Sequence, residues 1–154
     1  MTILFAIGRV AFVLIFIISG AQKLIDMPMA AAQVSAKLVL PEIAIAYTHQ
    51  LETLTGQTTA TLIALIAAMI EIGAALMVAV NIATRTGAAL LILFTIAAMY
   101  YAQPFWTMTG AERVASLSEA LKNLSLIGGL LVFFVLGPWA PLQDRYDEPL
   151  ARRV

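Results

Sequence analysis

The sequence predicts an all-α membrane protein, a four-transmembrane-helix bundle with a short helical excursion between helices 1 and 2. Of the 154 residues, 62% are apolar and only 12% are charged, whereas a soluble domain has about 45–50% apolar and about a quarter charged residues. The mean hydropathy is +0.94. Four apolar stretches reach the roughly 20 residues that a helix needs to cross a bilayer, and none shows the alternation of a barrel strand.

The four predicted spans lie at about residues 3–24, 60–80, 87–106 and 123–141, within one membrane domain that covers residues 1–154. The last span is predicted to end near Gly137-Pro138, a helix-stop signal. The first span differs from a cleaved secretory signal, because Arg9 lies inside its apolar run and Ser19-Gly20-Ala21 is a poor cleavage site. We therefore expect all four spans to remain in the membrane.

The longest connection, residues 25–59, is the excursion between the first two spans. It contains two predicted short helices, one over about 28–40 that Asp26 and Pro28 begin and Pro41 interrupts, and one over 42–54 that Gly56 ends. Both helices are too short to span a bilayer and too apolar to stand free in water. We expect them to lie at the membrane surface or to pack over the bundle as a lid.

The other two connections determine the predicted orientation. A tight turn at Arg85 joins the second and third spans, and a polar segment, residues 107–121, joins the third and fourth. The side with the termini and this turn carries Arg85, Arg145, Arg152 and Arg153, whereas the opposite loops carry Lys37 and Arg113. The positive-inside rule therefore predicts cytoplasmic termini and an excursion on the outer face.

Composition also excludes several classes of function. The nine basic and nine acidic residues cancel, which gives no indication of a nucleic-acid partner. The chain has no cysteine, so disulfides, iron–sulfur clusters and thiol-attached haem are excluded. His49 is the only histidine, no metal-ligand motif is present, and the methionines are scattered rather than arrayed for copper. Any redox role therefore needs a carrier that is bound without thiols.

Two ionisable residues lie inside the predicted spans, where each costs about 2.5–3.5 kcal/mol to insert. Arg9 lies about two turns into the first span, and Glu71 lies near the middle of the second. One interpretation is a buried ion pair between Arg9 and Glu71 that holds two helices together. The other is a carboxylate that carries a proton or binds a ligand. The sequence shows no proton route, which favours the structural pair.

A second polar group is predicted at the outer end of the bundle, where the topology brings together Lys23, Gln103, Trp106, Lys122 and Asn123. One interpretation is a pocket for a small anion or a quinone headgroup, with the quinone tail between helices. The alternative is an interfacial belt of aromatic and snorkelling side chains. No residue is assigned a catalytic role. The cofactor that this pocket could hold is a quinone, whereas no haem, iron–sulfur cluster or metal ion is expected.

Several motifs in chain order resemble those of the DoxX family. They are Gly8-Arg9, Gly20 with Lys23, Pro41, Glu71-Ile72-Gly73, Arg85 with Gly87-Ala88, Phe105-Trp106 and the run from Lys122 to Gly129, KNLSLIGG, which is the most specific. The resemblance extends from about Gly8 to Pro138. It implies a small four-helix protein of the bacterial cytoplasmic membrane, and some relatives are the small subunit of a thiosulfate:quinone oxidoreductase.

The chain departs from the family pattern at two places. Gln103 stands where the family commonly has a histidine before the Phe-Trp pair, and a glutamine cannot titrate near neutral pH as a histidine can. The stretch between Pro41 and Glu71 is also longer than is usual in the family. The first departure weakens any acid–base role at that position, and the second suggests a modified lid or partner surface.

Three functional hypotheses follow. The leading one is a membrane subunit of an oxidoreductase system that binds quinone or a small anionic substrate at the outer end of the bundle. The second is a non-catalytic scaffold or accessory subunit of a larger membrane complex. The third is a small-solute transporter with Glu71 as the coupling carboxylate. The expected partners are the lipid bilayer and either other protein subunits or further copies of the chain.

Overall fold

The computed structural model describes residues 2–37 and 42–137, and over these residues the chain forms six helices and no strand. The helices are α1 (Thr2–Ile25), α2 (Met27–Lys37), α3 (Glu42–Thr55), α4 (Thr59–Ala79), α5 (Thr84–Ala102) and α6 (Gly110–Leu136). Four of them, α1, α4, α5 and α6, are long and apolar enough to cross a membrane. The predicted fold class is therefore confirmed.

The four long helices alternate in direction and pack in chain order, α1 on α4, α4 on α5 and α5 on α6. Their core consists of Val13, Phe16, Ala74, Ala75, Val78, Ala88, Leu91 and Leu130. Large apolar side chains cover the outer surface instead, including Ile3, Leu93 and Val135, each more than 60% exposed. This distribution suits a bundle whose outer surface faces lipid, because lipid tails are as apolar as the core.

Two glycines allow the backbones of neighbouring helices to come close together. A Cβ atom added to Gly20 of α1 would lie 2.7 Å from Cγ1 of Ile72 and 3.0 Å from the carbonyl oxygen of Ala68, both on α4. A Cβ atom added to Gly87 of α5 would lie 2.7 Å from the carbonyl oxygen of Ala74. These contacts fix the height of α1 and α5 against α4, because the backbones touch directly.

The excursion forms the two predicted helices, α2 and α3. The Asp26 side chain begins α2 by accepting a hydrogen bond of 3.1 Å from the backbone N–H of Met29, and Gly56 follows α3 with a φ of +67°. α2 packs against α4 rather than lying free. The predicted interruption at Pro41 lies outside the described residues.

Two helix ends differ from the predicted span boundaries. α5 ends at Ala102 rather than near residue 106, because Pro104 disfavours helical geometry at Gln103. α6 begins at Gly110 rather than near residue 123, so most of the segment predicted as a polar connection is helical. That helix is about 40 Å long, which exceeds the roughly 30 Å apolar thickness of a bilayer. Its first turns can therefore carry the polar residues of that segment outside the apolar layer.

Candidate functional site

The candidate site is a polar network between the end of α1 and the middle of α4. Nζ of Lys23 lies 2.6 Å from Oε2 of Glu71 and donates a second hydrogen bond of 2.8 Å to Oγ of Ser19. The Ser19 hydroxyl donates in turn to Oε1 of Glu71, at 3.2 Å. The three side chains thus form a closed triangle in which both carboxylate oxygens are satisfied.

The spacing of these residues explains why they meet. Ser19 and Lys23 are four residues apart and therefore lie on one face of α1. Gly20 lies beside them and contacts α4 from Ala68 to Ile72, so that face is held at the height of Glu71. The sequence placed Lys23 on the inward side of the first span, but it did not indicate Ser19 as a partner. The i, i+4 spacing of Ser19 and Lys23 is the signal that would have found it.

The predicted ion pair between Arg9 and Glu71 is wrong, because the cation bonded to Glu71 is Lys23. The reason is the axial position of the two helices. Arg9 is eleven residues before Gly20 and therefore lies about 16 Å from it along α1. The Arg9 guanidinium instead lies over the ring of Phe5, with Cζ 4.9 Å from the ring centre.

The two members of the ion pair differ in exposure. The Glu71 side chain is 5% exposed, whereas the Lys23 side chain is 28% exposed. Lys23 can therefore reach solvent or a ligand while its partner remains inside the bundle. An ammonium group has three hydrogens to donate, and the network accounts for two of them. The third is available for a further acceptor.

A pocket of about 420 Å³ opens beside this network, between α1 and α2. We call it the Lys23 pocket; its lining residues are Ser19, Gln22, Lys23, Ile25, Asp26, Met29, Ala30 and Gln33. Its wall therefore combines an ammonium group, a hydroxyl group, two amides and one carboxylate with apolar side chains. Pockets of about 300–1,000 Å³ with a few polar groups are typical of small-molecule sites. The wall can bind a small polar ring or headgroup.

The other predicted site residues lie on or just after α5 and α6. Nδ2 of Asn123 donates a hydrogen bond of 3.0 Å to Oε1 of Gln103, which joins the two helices. Trp106 packs against Tyr100, with ring centres 5.6 Å apart. The Lys122 side chain is 65% exposed and lies 2.7 Å from Oε1 of Glu119 on the same helix. The structure thus brings Gln103 and Asn123 together, whereas Lys23 and Lys122 bond to carboxylates on different helices.

The excursion is tied to the long helices by two further polar contacts. Lys37 at the end of α2 donates to the carbonyl oxygen of Ala102, at 2.8 Å. Oε1 of Glu52 on α3 accepts hydrogen bonds from the backbone N–H and the hydroxyl group of Thr59, at 2.8 and 2.7 Å. These bonds from Thr59 lower the pKa of the Glu52 carboxyl group. α2 is therefore anchored to the end of α5, and α3 to the start of α4.

The described residues contain no group of three or more histidine, cysteine, aspartate or glutamate side chains that could hold a metal ion. The only ionisable groups bonded to each other across two spans in this part of the chain are Lys23 and Glu71. The chemistry available at the site is thus hydrogen bonding, charge stabilisation and proton exchange.

Comparison with known proteins supports the sequence resemblance. The DoxX family model matches residues 4–104, which includes the whole Lys23–Glu71 network. The chain is also similar to inner membrane protein YphA of Escherichia coli (strain K12), at 30% identity over 143 residues, which is 93% of this chain and 89% of that protein. No solved structure matches the chain. The chain belongs to the DoxX family.

Proposed function

We propose that this protein is a membrane subunit of an oxidoreductase system and that it binds a quinone headgroup in the Lys23 pocket. The observation that carries the proposal is the Lys23–Glu71 ion pair, which lies between two spans and whose lysine lines an open polar pocket. Ionisable residues within a span are costly, and they commonly mark a ligand or proton site.

The pocket wall suits a quinone. A quinone ring is a flat apolar group with two carbonyl oxygens, each of which accepts hydrogen bonds. The third hydrogen of the Lys23 ammonium group and the amides of Gln22 and Gln33 can supply the donors. Ile25 and Met29 supply apolar contacts on the same wall. An isoprenoid tail would then lie along the lipid-facing surface, where the large side chains are apolar.

The site suits the reduction of a bound quinone by a partner protein better than a reduction that this chain carries out alone. Reduction of a quinone to a quinol takes up two electrons and two protons. The Lys23–Glu71 pair holds exchangeable protons beside the pocket, but the chain has no cysteine and only one histidine to hold an electron carrier. The electrons must therefore come from a partner protein, which makes this chain the quinone-binding subunit.

We place the headgroup at Lys23 rather than at the predicted residues near α5 and α6. Gln103 and Asn123 satisfy each other by their hydrogen bond. Lys122 is an exposed side chain beside Glu119, and exposed ion pairs contribute little to the free energy of folding. In this proposal Gln103 and Asn123 join α5 to α6 at the outer end of the bundle.

We further propose that the protein is a multi-pass protein of a bacterial inner membrane with cytoplasmic termini. The name of its E. coli relative supports this location. The distribution of arginines supports the orientation, since four lie on the side of the termini in the alternating topology.

A non-catalytic accessory subunit is the second candidate, and one observation favours it. Both Glu71 oxygens and the Ser19 hydroxyl are satisfied within the network, as they would be in an ion pair that only holds α1 against α4. In that case the Lys23 pocket would be empty space at the membrane surface, and the chain would bind no quinone.

Filling the pocket separates these two candidates. Gln33→Trp places a bulky ring in the pocket from an exposed position on α2, and Gln50→Trp makes the same change at an exposed position on α3 outside it. Quinone would be extracted from protein purified in mild detergent and quantified by mass spectrometry. We expect the wild type and Gln50→Trp to retain quinone and Gln33→Trp to lose most of it. No quinone in the wild type, or equal amounts in all three proteins, would support the accessory subunit.

A further inference from the structure

The opposite end of the bundle contains two cationic side chains that the proposed function does not use. Arg9 lies in the first turns of α1, and Arg85 is the second residue of α5. α1 and α5 begin at the end of the bundle where α6 finishes, because the long helices alternate in direction. The pair therefore lies at the other end from the Lys23 pocket, on the side where α1 begins and α6 ends.

Both arginines are linked by contacts to the last turn of α6. The Arg9 guanidinium stacks on Phe5, whose ring centre is 6.2 Å from that of Phe133 on α6. One turn further on, a Cβ atom added to Gly137 would lie 2.6 Å from Nε of Arg85. Phe133 and Gly137 are joined by the hydrogen bond between the Gly137 N–H and the Phe133 carbonyl oxygen. Arg85 therefore lies against the end of α6, and Arg9 is connected to the same turn, about 5 Å in height, through the Phe5 ring.

No carboxylate among residues 2–37 and 42–137 neutralises the charges of these two groups. Arg9 is only 5% exposed, and its Nε has no hydrogen-bond partner within the described residues. Neither Arg9 nor Arg85 forms an ion pair with a carboxylate in that part of the chain. A buried donor without a partner is costly, and a buried cation is more so. An anion from outside the bundle would remove that cost.

We propose that Arg9 and Arg85 bind the phosphate group of an anionic membrane lipid. Guanidinium groups form paired hydrogen bonds with phosphate oxygens. Arg9 lies about 10 Å from the start of α1, a depth that corresponds to the boundary between the headgroups and the acyl chains. The exposed Val10 and Leu14 on α1, which lie deeper in the membrane than Arg9, provide an apolar surface for the acyl chains. Arg85 is exposed, so the phosphate can reach the site from the lipid.

Lipid competition measured by native mass spectrometry tests this site. The wild type, released from detergent, would be exposed to phosphatidylglycerol and phosphatidylcholine in equal amounts. Each arginine near a membrane surface contributes about a fivefold change in affinity for an anionic lipid. We therefore expect Arg85→Gln to reduce the preference for phosphatidylglycerol about fivefold. Arg113→Gln, which removes the same charge from an exposed position at the other end of the bundle, is the matched control and should leave the preference unchanged.

Arg85→Gln is the principal variant, because Arg85 is exposed and its substitution should leave the fold intact, whereas Arg9 is buried. Arg9→Gln is the second variant and should also reduce the preference for phosphatidylglycerol. Equal binding of the two lipids by the wild type, or equal losses in Arg85→Gln and Arg113→Gln, would overturn the proposal. Inorganic phosphate that displaces the lipid only at concentrations far above that of the lipid would support a lipid ligand. Phosphate that binds the wild type as tightly as the lipid does would show that the ligand is a free phosphate and would overturn the lipid assignment.

The acidic side chains after residue 137 provide one further test, since Asp144, Asp147 and Glu148 could neutralise the arginines within the chain itself. A variant with these three residues changed to Asn, Asn and Gln should retain its preference for phosphatidylglycerol. If that variant instead binds the lipid at least tenfold more tightly, the acids compete for the arginines in the native protein and the lipid is not the native ligand.

Discussion

Removing either member of the Lys23–Glu71 pair should destabilise the protein, but by unequal amounts. Lys23→Met leaves a carboxylate that is 5% exposed and retains only the Ser19 hydrogen bond. Glu71→Gln leaves an ammonium group that is 28% exposed and can turn into the Lys23 pocket. The cost of breaking a buried ion pair is about 3–5 kcal/mol. We expect Lys23→Met to approach that range and Glu71→Gln to cost about half as much, because solvent in the pocket can compensate the remaining charge.

The double variant provides the measurement of coupling. Lys23→Met combined with Glu71→Gln leaves no buried charge, so it should be more stable than the sum of the single changes predicts by about 1–3 kcal/mol. The free energy of unfolding would be measured in mixed micelles by denaturant titration, for the wild type, both single variants and the double variant. Lys122→Met is the matched control, because Lys122 is 65% exposed and bonded only within its own helix. It should change the stability by less than about 1 kcal/mol.

Two outcomes would refute this reasoning. Strictly additive losses in the free energy of unfolding would show that Lys23 and Glu71 do not interact in the folded protein. A larger loss for Glu71→Gln than for Lys23→Met would show that the lysine, rather than the carboxylate, is the charge that cannot be solvated after its partner is removed.

Three other changes have clear expected results. Gly87→Ala should destabilise the protein by about 1–3 kcal/mol, because the new methyl group would press on the Ala74 carbonyl oxygen. Gly73→Ala should stabilise α4 by up to about 1 kcal/mol, because its added Cβ atom would meet no other atom within 4 Å. Equal effects of the two glycine substitutions on thermal unfolding would contradict the close packing of Gly87 on Ala74. Because the pKa of Glu52 lies below its ordinary value of 4.5, its stabilising effect should be present above that pH and be lost as the pH falls further. Glu52→Gln should remove this part of the acid dependence of unfolding, and an unchanged pH profile would refute the role of Glu52.

The sequence by itself determined the four spans and the two short helices, and it did so because the bilayer imposes a simple requirement. A chain that crosses lipid must satisfy its backbone within a helix, so about 20 apolar residues are enough to identify each span. The start of α2 at Asp26 and the end of α3 before Gly56 were also predictable, because capping and left-handed glycine depend on local sequence alone.

The ends of α5 and α6 were less predictable, because hydropathy does not mark helix boundaries. Pro104 ends α5 while the sequence is still apolar and aromatic, and α6 continues for thirteen residues beyond the predicted span, from residue 123 back to 110. In both cases the helix ends or begins where local backbone geometry requires it, whereas hydropathy indicates only which residues lie within the membrane.

Only the tertiary structure decided which charges meet. The sequence identified Arg9 and Glu71 as residues that need partners and assigned Lys23 to the outer polar group, but helical periodicity specifies a face and not a height against the neighbouring helix. The contact of Gly20 with α4 sets that height, and it brings Lys23 to Glu71 and leaves Arg9 at the other end of the bundle. The physical reason is that an ion pair needs atoms within about 4 Å, whereas a shift of a single helical turn moves a side chain by about 5.4 Å.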